Sequence, residues 1–274
     1  MQSVNTNTGA MVALQNLNST STQLQQTQNI ISTGLKVASA KDDGATYAIA
    51  QSQRAAVSSL DAVKSSLSRS SSVVDVAMSA GDSVTDLLSQ MKEKALAASD
   101  TSLDTTSRNA IKTDFESLRD QITKTLSNAT FNGINILDGA NASISALANS
   151  AGTSTITVTG QNMSLGGSII TVGTTSSFST ATSASNLLTT LDTSINNVSA
   201  ALAKLGTSSK ALSNHANFVG KLQDSLNAGI GNLVDADMAK ESATLQALQT
   251  KQQLGVQALS IANQSTSTVL SLFR

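Results

Sequence analysis

The 274-residue chain has no cysteine, no proline and no tryptophan, one histidine, one tyrosine and five phenylalanines. Without cysteine there is no disulfide framework, no thiolate metal site and no thiol nucleophile. A single histidine excludes a His-rich metal site and argues against a histidine-based catalytic centre. Charged residues make up 13% and the net charge is −1, which gives no basic footprint for nucleic acid or anionic lipid. No run approaches the about 18–20 apolar residues that span a bilayer. The N-terminal stretch lacks the basic and apolar segments of a cleaved secretory signal, which points to the cytosol or to an export route without one. The absence of proline removes the strongest helix breaker and permits very long helices.

What the chain does have is heptads. Leu14, Leu17, Ser21, Leu24, Gln28, Ile31 and Leu35 alternate spacings of three and four, one stripe of a helix. The stripe ends at Gly34, and Lys41-Asp42-Asp43-Gly44 reads as a connector or a second helix start. From Ala55 the spacing runs through Leu60, Val63, Leu67, Ser70, Val74, Ala77, Gly81, Val84, Leu88, Met91, Ala95 and Ala98. That is a helix of about 45 residues, about 65–70 Å at 1.5 Å per residue. A third helix is predicted from near Arg108, capped by Thr106 or Ser107, with Ile111, Phe115, Leu118, Ile122 and Leu126 on one face. Leu191, Val198, Leu205, Leu212, Val219, Leu226 and Leu233, spaced by sevens, carry a second run of matching length. Gly229 and Gly231 weaken it. Asp235 or Asp237 then caps a last helix with Met238, Leu245, Leu248, Leu259, Val269 and Phe273 on its apolar side.

Residues 131–185 differ in character. Asn132-Gly133 and Asp138-Gly139 are turn signals, and the β-branched stretches 154–159 and 168–172 read as short strands in one or two hairpins. The predicted fold is mainly α: an elongated helical hairpin or coiled-coil bundle with a small β-hairpin segment at its distal part and the termini paired as a coiled coil. The predicted parts are a terminal domain (1–44 and 234–274), a long-helix rod domain (45–130 and 186–233), and a β segment (131–185) belonging to the rod, with no large outer domain. The expected rod core is Leu60, Leu67, Val74, Leu88, Phe115, Leu191, Val198, Leu205, Leu212 and Leu226.

Segments 1–35 and 236–274 have only one another to pack on within the chain. Packed pairwise, each leaves apolar surface in solvent, and Ser21, Gln28, Gln252 and Gly255 weaken an isolated pair. Burial against other copies, at about 25 cal/mol per Å² of apolar area, then favours assembly over a plain intramolecular bundle. The expected self-assembly residues are Leu14, Leu17, Leu24, Ile31, Leu35, Leu245, Leu248, Leu259, Val269, Leu272 and Phe273.

Chemistry is sparse. His215 has no catalytic partner pattern around it and reads as a packing residue. Asp42-Asp43-Gly44 lacks the acidic repeat of a calcium loop, and Gly166-Gly167 lacks the lysine of a phosphate loop. No catalytic, cofactor-binding or metal-ligating set emerges, and no enzyme activity or cofactor is expected.

Both ends resemble one family. Asn5-Thr6-Asn7, Leu14-Gln15-Asn16-Leu17-Asn18, Thr33-Gly34-Leu35-Lys36 and Ser39-Ala40-Lys41-Asp42-Asp43 are similar to the flagellin N-terminus. Asp235-Ala236-Asp237, Ala262-Asn263-Gln264 and the final Leu270-Ser271-Leu272-Phe273-Arg274 are similar to its C-terminus, and Phe131-Asn132-Gly133 also matches. The resemblance is to the short, Caulobacter-like flagellins of alphaproteobacteria and covers the chain outside the β segment. It implies the structural subunit of an extracellular, rotating flagellar filament used for swimming. It implies type III export of the unfolded chain, and termini nested as the inner tube. The implied partners are further copies in a helical homopolymer, the export machinery and a chaperone, the filament cap and hook-junction proteins, with no nucleic acid and no membrane insertion. Asp42, Asp43, Asp235 and Asp237 are expected at caps and contacts where the inner and outer parts join. A hook–filament junction protein and a secreted coiled-coil adhesin or effector are the rival readings.

One stretch departs from the family. Many flagellins carry Leu-Gln-Arg-Val-Arg-Glu-Leu-Ala in the first long helix, the run read by the vertebrate Toll-like receptor for flagellin. Here it is Leu88-Ser89-Gln90-Met91-Lys92-Glu93-Lys94-Ala95. Gln90 stands for the first arginine and Lys94 for the leucine. A glutamine cannot replace an arginine that stacks and donates bidentately, so the resemblance implies a poor agonist.

Overall fold

The computed structural model describes residues 6–271, and side chains through residue 264. In chain order the described elements are α1 (Thr8–Thr33), α2 (Gly44–Ala98), α3 (Thr105–Asn128), β1 (Ser143–Leu147), β2 (Thr155–Thr159), α4 (Ala181–Val234) and α5 (Met238–Ser271). The protein is mainly helical with one two-stranded antiparallel sheet. It divides into two compact units, residues 1–55 with 225–274, and residues 56–224.

Both long helices exceed the predicted runs, and their caps explain why. α2 has 55 residues and begins at Gly44 because the Asp43 carboxylate accepts from Ala45 N and Thr46 N (3.0 and 3.1 Å). α4 has 54 residues; at its start Thr180 Oγ1 accepts from Ser183 N (3.2 Å). α4 also continues through Gly229 and Gly231, where the sequence predicts weakening. The Asp235 carboxylate folds against Gly231, on the space a side chain there would fill. α3 begins three residues before Arg108, since Asp104, rather than Thr106 or Ser107, caps it by accepting from Ser107 N (2.8 Å).

Arg108 does something else. It is 9% exposed and donates to the carbonyls of Ala98, Asp100 and Leu103 at 2.8–3.0 Å. The first ends α2 and the other two lie in the turn after it, so one guanidinium fixes the α2–α3 corner.

The core of residues 56–224 is dense. Leu60, Leu67, Val74, Leu88, Phe115, Leu191, Val198, Leu205 and Leu212 are all at most 3% exposed. Phe115 and Phe178 meet edge to face, with centroids 5.2 Å apart. Gly81 faces Leu202 so closely that an added Cβ would lie 2.6 Å from its Cδ2, which sets how near α2 and α4 approach here.

The sheet is not the one the sequence suggests. Residues 155–159 do form a strand, but their partner is 143–147, with Ser143 opposite Thr159 and Leu147 opposite Thr155. Residues 168–172 form no strand. Ile170 and Val172 are buried, while α4 side chains take three of the segment's backbone groups and Gly166 N donates to the Val172 carbonyl. Thr171 N donates to Ser194 Oγ (3.0 Å), and Asn197 Nδ2 donates to the carbonyls of Ser168 and Ile169. A segment whose polar groups are met by a helix has no need of a ladder. The hairpin is tied to its helices by Leu147 N donating to Ser66 Oγ (3.1 Å) and by His215 Nε2 meeting Ala148 O (2.7 Å).

Candidate functional site

The unusual feature of residues 1–55 with 225–274 is a helix pair that leaves much of its apolar surface uncovered. α1 and α5 run antiparallel: Asn7 Nδ2 donates to Ala262 O (2.7 Å), Leu17 packs beside Gly255, and Leu35 bridges Asp235. Gly34 ends α1 in the left-handed conformation (φ 71°), its N–H donating to Ile30 O (2.8 Å). Its own carbonyl accepts from Ala236 N (2.9 Å), and Lys36 N donates to Val234 O (2.7 Å). Asp237 caps α5 through Ala239 N and Lys240 N (3.0 and 3.1 Å).

The aspartates of the α1–α2 connector are local acceptors. Asp42 takes the N–H groups of Ala38 and Ser39 and the Ser39 hydroxyl; Asp43 takes Ala45 N, Thr46 N and the Thr46 hydroxyl. Hydrogen bonds from Ser39 hold the Asp42 carboxyl below its ordinary 3.8, and those from Thr46 do so for Asp43.

The seam differs in detail from the sequence stripe. Leu17, Leu24, Ile31, Leu245 and Leu259 face it and are half-buried, as is Leu35 beyond the end of α1. The alternate α1 positions are Thr20 (4% exposed) and Thr27 (6%), while Gln28 is exposed. Thr20 tolerates burial because its hydroxyl donates to Asn16 O one turn back (2.8 Å). Leu14 is 48% exposed and lies off the seam. Leu248, at 8%, is the one buried apolar side chain of the pair among the described residues. The Val269 side chain, Leu272 and Phe273 lie outside them. Leu226 is half-buried, unlike the other nine expected rod-core residues.

Sequence periodicity misses the other apolar set. Met11 (62% exposed), Val12 (57%), Leu254 (59%), Val256 (54%) and Ile261 (68%) point away from the seam. The signal was present as apolar residues off the heptad stripe, but spacing alone does not say which face a partner covers. The same two helices thus combine a weak seam with exposed apolar flanks, an apolar surface of the kind that marks interaction sites. Among the described residues no group of three His, Cys, Asp or Glu could hold a metal, and no helix is long and apolar enough to cross a membrane.

The receptor-equivalent stretch lies on α2. Gln90 is exposed, and Lys94 pairs with Asp114 of α3 at 2.7 Å.

Residues 4–142 match the bacterial flagellin N-terminal helical region, and residues 188–273 match the bacterial flagellin C-terminal helical region. The chain is 61% identical to flagellin FljM of Caulobacter vibrioides over 274 residues, covering 100% of this chain and 99% of that protein. It is 37% identical to a flagellin of Brucella melitensis, covering both chains entirely. Among solved structures, a putative flagellar hook-associated protein from Vibrio parahaemolyticus superposes with a TM-score of 0.58 at 16% identity, over 71% of this chain and 100% of that one. That likeness concerns the fold alone. Both helical ends match the family models, and the relatives align from end to end: the chain belongs to the bacterial flagellin family.

Proposed function

We propose that this chain polymerises through its terminal helix pair, with the uncovered flanks of α1 and α5 buried against the same helices of neighbouring copies. As a flagellin it is a structural subunit of the extracellular flagellar filament. The observation that supports the terminal pair as the assembly surface is the contrast in burial. Nine residues of the other unit's core are at most 3% exposed, whereas the α1–α5 pair buries Leu248 alone among its described apolar side chains. Leu14, Leu17, Leu24, Ile31, Leu35, Leu245, Leu248, Leu259, Val269, Leu272 and Phe273 belong to this surface, and residues 1–44 with 234–274 form the inner tube. The long-helix portions (45–130 and 186–233), with the β segment 131–185, form the shell around it. The export machinery, its chaperone, the cap and the hook-junction proteins are the further partners. Negative-stain microscopy after salt-induced polymerisation tests the reading. Filaments are expected, and a chain that stays monomeric with both ends protected from protease refutes it.

A further inference from the structure

We infer that a cleft beside Arg69 is a socket for a carboxylate of the next copy in the filament, supplied by the acidic face of that copy's α2. This rests on the filament reading above and adds a specific contact to it.

The cleft, about 320 Å³, lies between α2 and the start of the β segment. Arg69 and Ser70 form one wall, with Phe131, Asn132, Asn141 and Ser145 opposite. Asn132 and Gly133 both have positive φ (51° and 78°), and Phe131 pairs with Ile134 across them. Asn-Gly is the sequence suited to such a turn, and the turn holds Phe131 at the mouth, 36% exposed.

Two features of the cleft point to an anion. The other described arginines of residues 56–224 are engaged: Arg108 on three carbonyls, Arg119 on Asp120 and on Ser176 O. Arg69 has neither an ion pair nor a hydrogen bond among the described residues. Ser70 is only 8% exposed, lines the cleft, and its hydroxyl also has no partner there. That hydroxyl is open to the cleft, where it can donate to a bound oxygen. A guanidinium beside it, on an apolar rim, matches a carboxylate in charge and in donor geometry.

The chain supplies that carboxylate. Asp82, Asp86 and Glu93 are exposed and, among the described residues, engage no basic side chain and no hydrogen bond. They stand four and eleven residues apart, one face of α2. They cannot reach Arg69 of their own chain. Thirteen to twenty-four residues of helix separate them from it, about 20–36 Å at 1.5 Å per residue. The pairing therefore runs between copies. When copies share one orientation, a contact between two different patches repeats from copy to copy and propagates.

The test uses full-length protein and the critical concentration for growth from wild-type seeds. Arg69→Glu and Arg69→Gln should each raise it, the first by at least about tenfold, while monomer circular dichroism and thermal midpoint stay at wild-type values. Arg69→Glu combined with Asp82→Lys and Asp86→Lys should recover growth. An unchanged critical concentration for Arg69→Glu overturns the socket, and failure of the charge swap to rescue overturns the assigned occupant. N-acetylneuraminic acid binding to wild-type monomer, with Asp82→Lys/Asp86→Lys filaments growing normally, would assign the cleft to acidic sugars and overturn it too. If the wild-type chain itself does not polymerise, the filament reading fails first and this pairing falls with it.

Discussion

Leu254 and Ile261 offer the sharpest separation of assembly from folding. They lie seven residues apart on one face of α5 and are 59% and 68% exposed. Fully burying a leucine or isoleucine side chain contributes about 1.5–3 kcal/mol. With more than half of each still in solvent, neighbouring copies can gain about 1–1.5 kcal/mol per residue by covering them. Replacing both with alanine removes most of that gain, about 2–3 kcal/mol per subunit, while keeping or improving helix propensity. Since about 1.4 kcal/mol is a factor of ten, the critical concentration should rise about 30- to 150-fold. The monomer should keep its thermal midpoint, because neither side chain is buried within the chain. Pelleting assays over a concentration series read the first quantity, and circular dichroism melting reads the second. A critical concentration within twofold of wild type would refute the covered-flank reasoning. So would a monomer destabilised enough to explain lost assembly by unfolding.

Three further outcomes follow from particular contacts. Phe115→Ala removes a fully buried ring and its edge-to-face partner contact with Phe178, and should cost about 3–5 kcal/mol, read as a lower urea midpoint of the monomer. Asp43 and Asp104 cap α2 and α3, and hydrogen bonds from Thr46 and Ser107 hold their carboxyls below the ordinary 3.8. Their contribution is therefore complete above that value and is lost as pH falls through it and then through the lower folded values. Asp104→Asn should melt below wild type at pH 7, and the gap should narrow as pH falls below 3.8. Monomer should be a weak agonist in a reporter assay for the vertebrate flagellin receptor, because Gln90 replaces an arginine and Lys94 is held by Asp114; full potency would contradict this.

The sequence by itself determined the helical class, both long runs and the family. Heptads carry that information because burial on a helix repeats with its own geometry, and no proline interrupts it. Local chemistry also made a cap legible at Asp235 or Asp237, and the structure puts it on Asp237, since a cap acts on residues two or three away. Tertiary structure decided what depends on distant partners. Residues 168–172 have strand-forming side chains, yet Ser194 and Asn197 of α4 take their backbone groups, and 143–147 pairs with 155–159 instead. Arg108, read as a helix start, is a buried clamp on three carbonyls. Thr20 and Thr27 are the buried polar positions of the seam, while Ser21 is half-buried and Gln28 is exposed. Met11, Val12, Leu254 and Ile261 are left bare. Spacing shows that a face is apolar, and only the packed neighbours show whether the chain itself covers it.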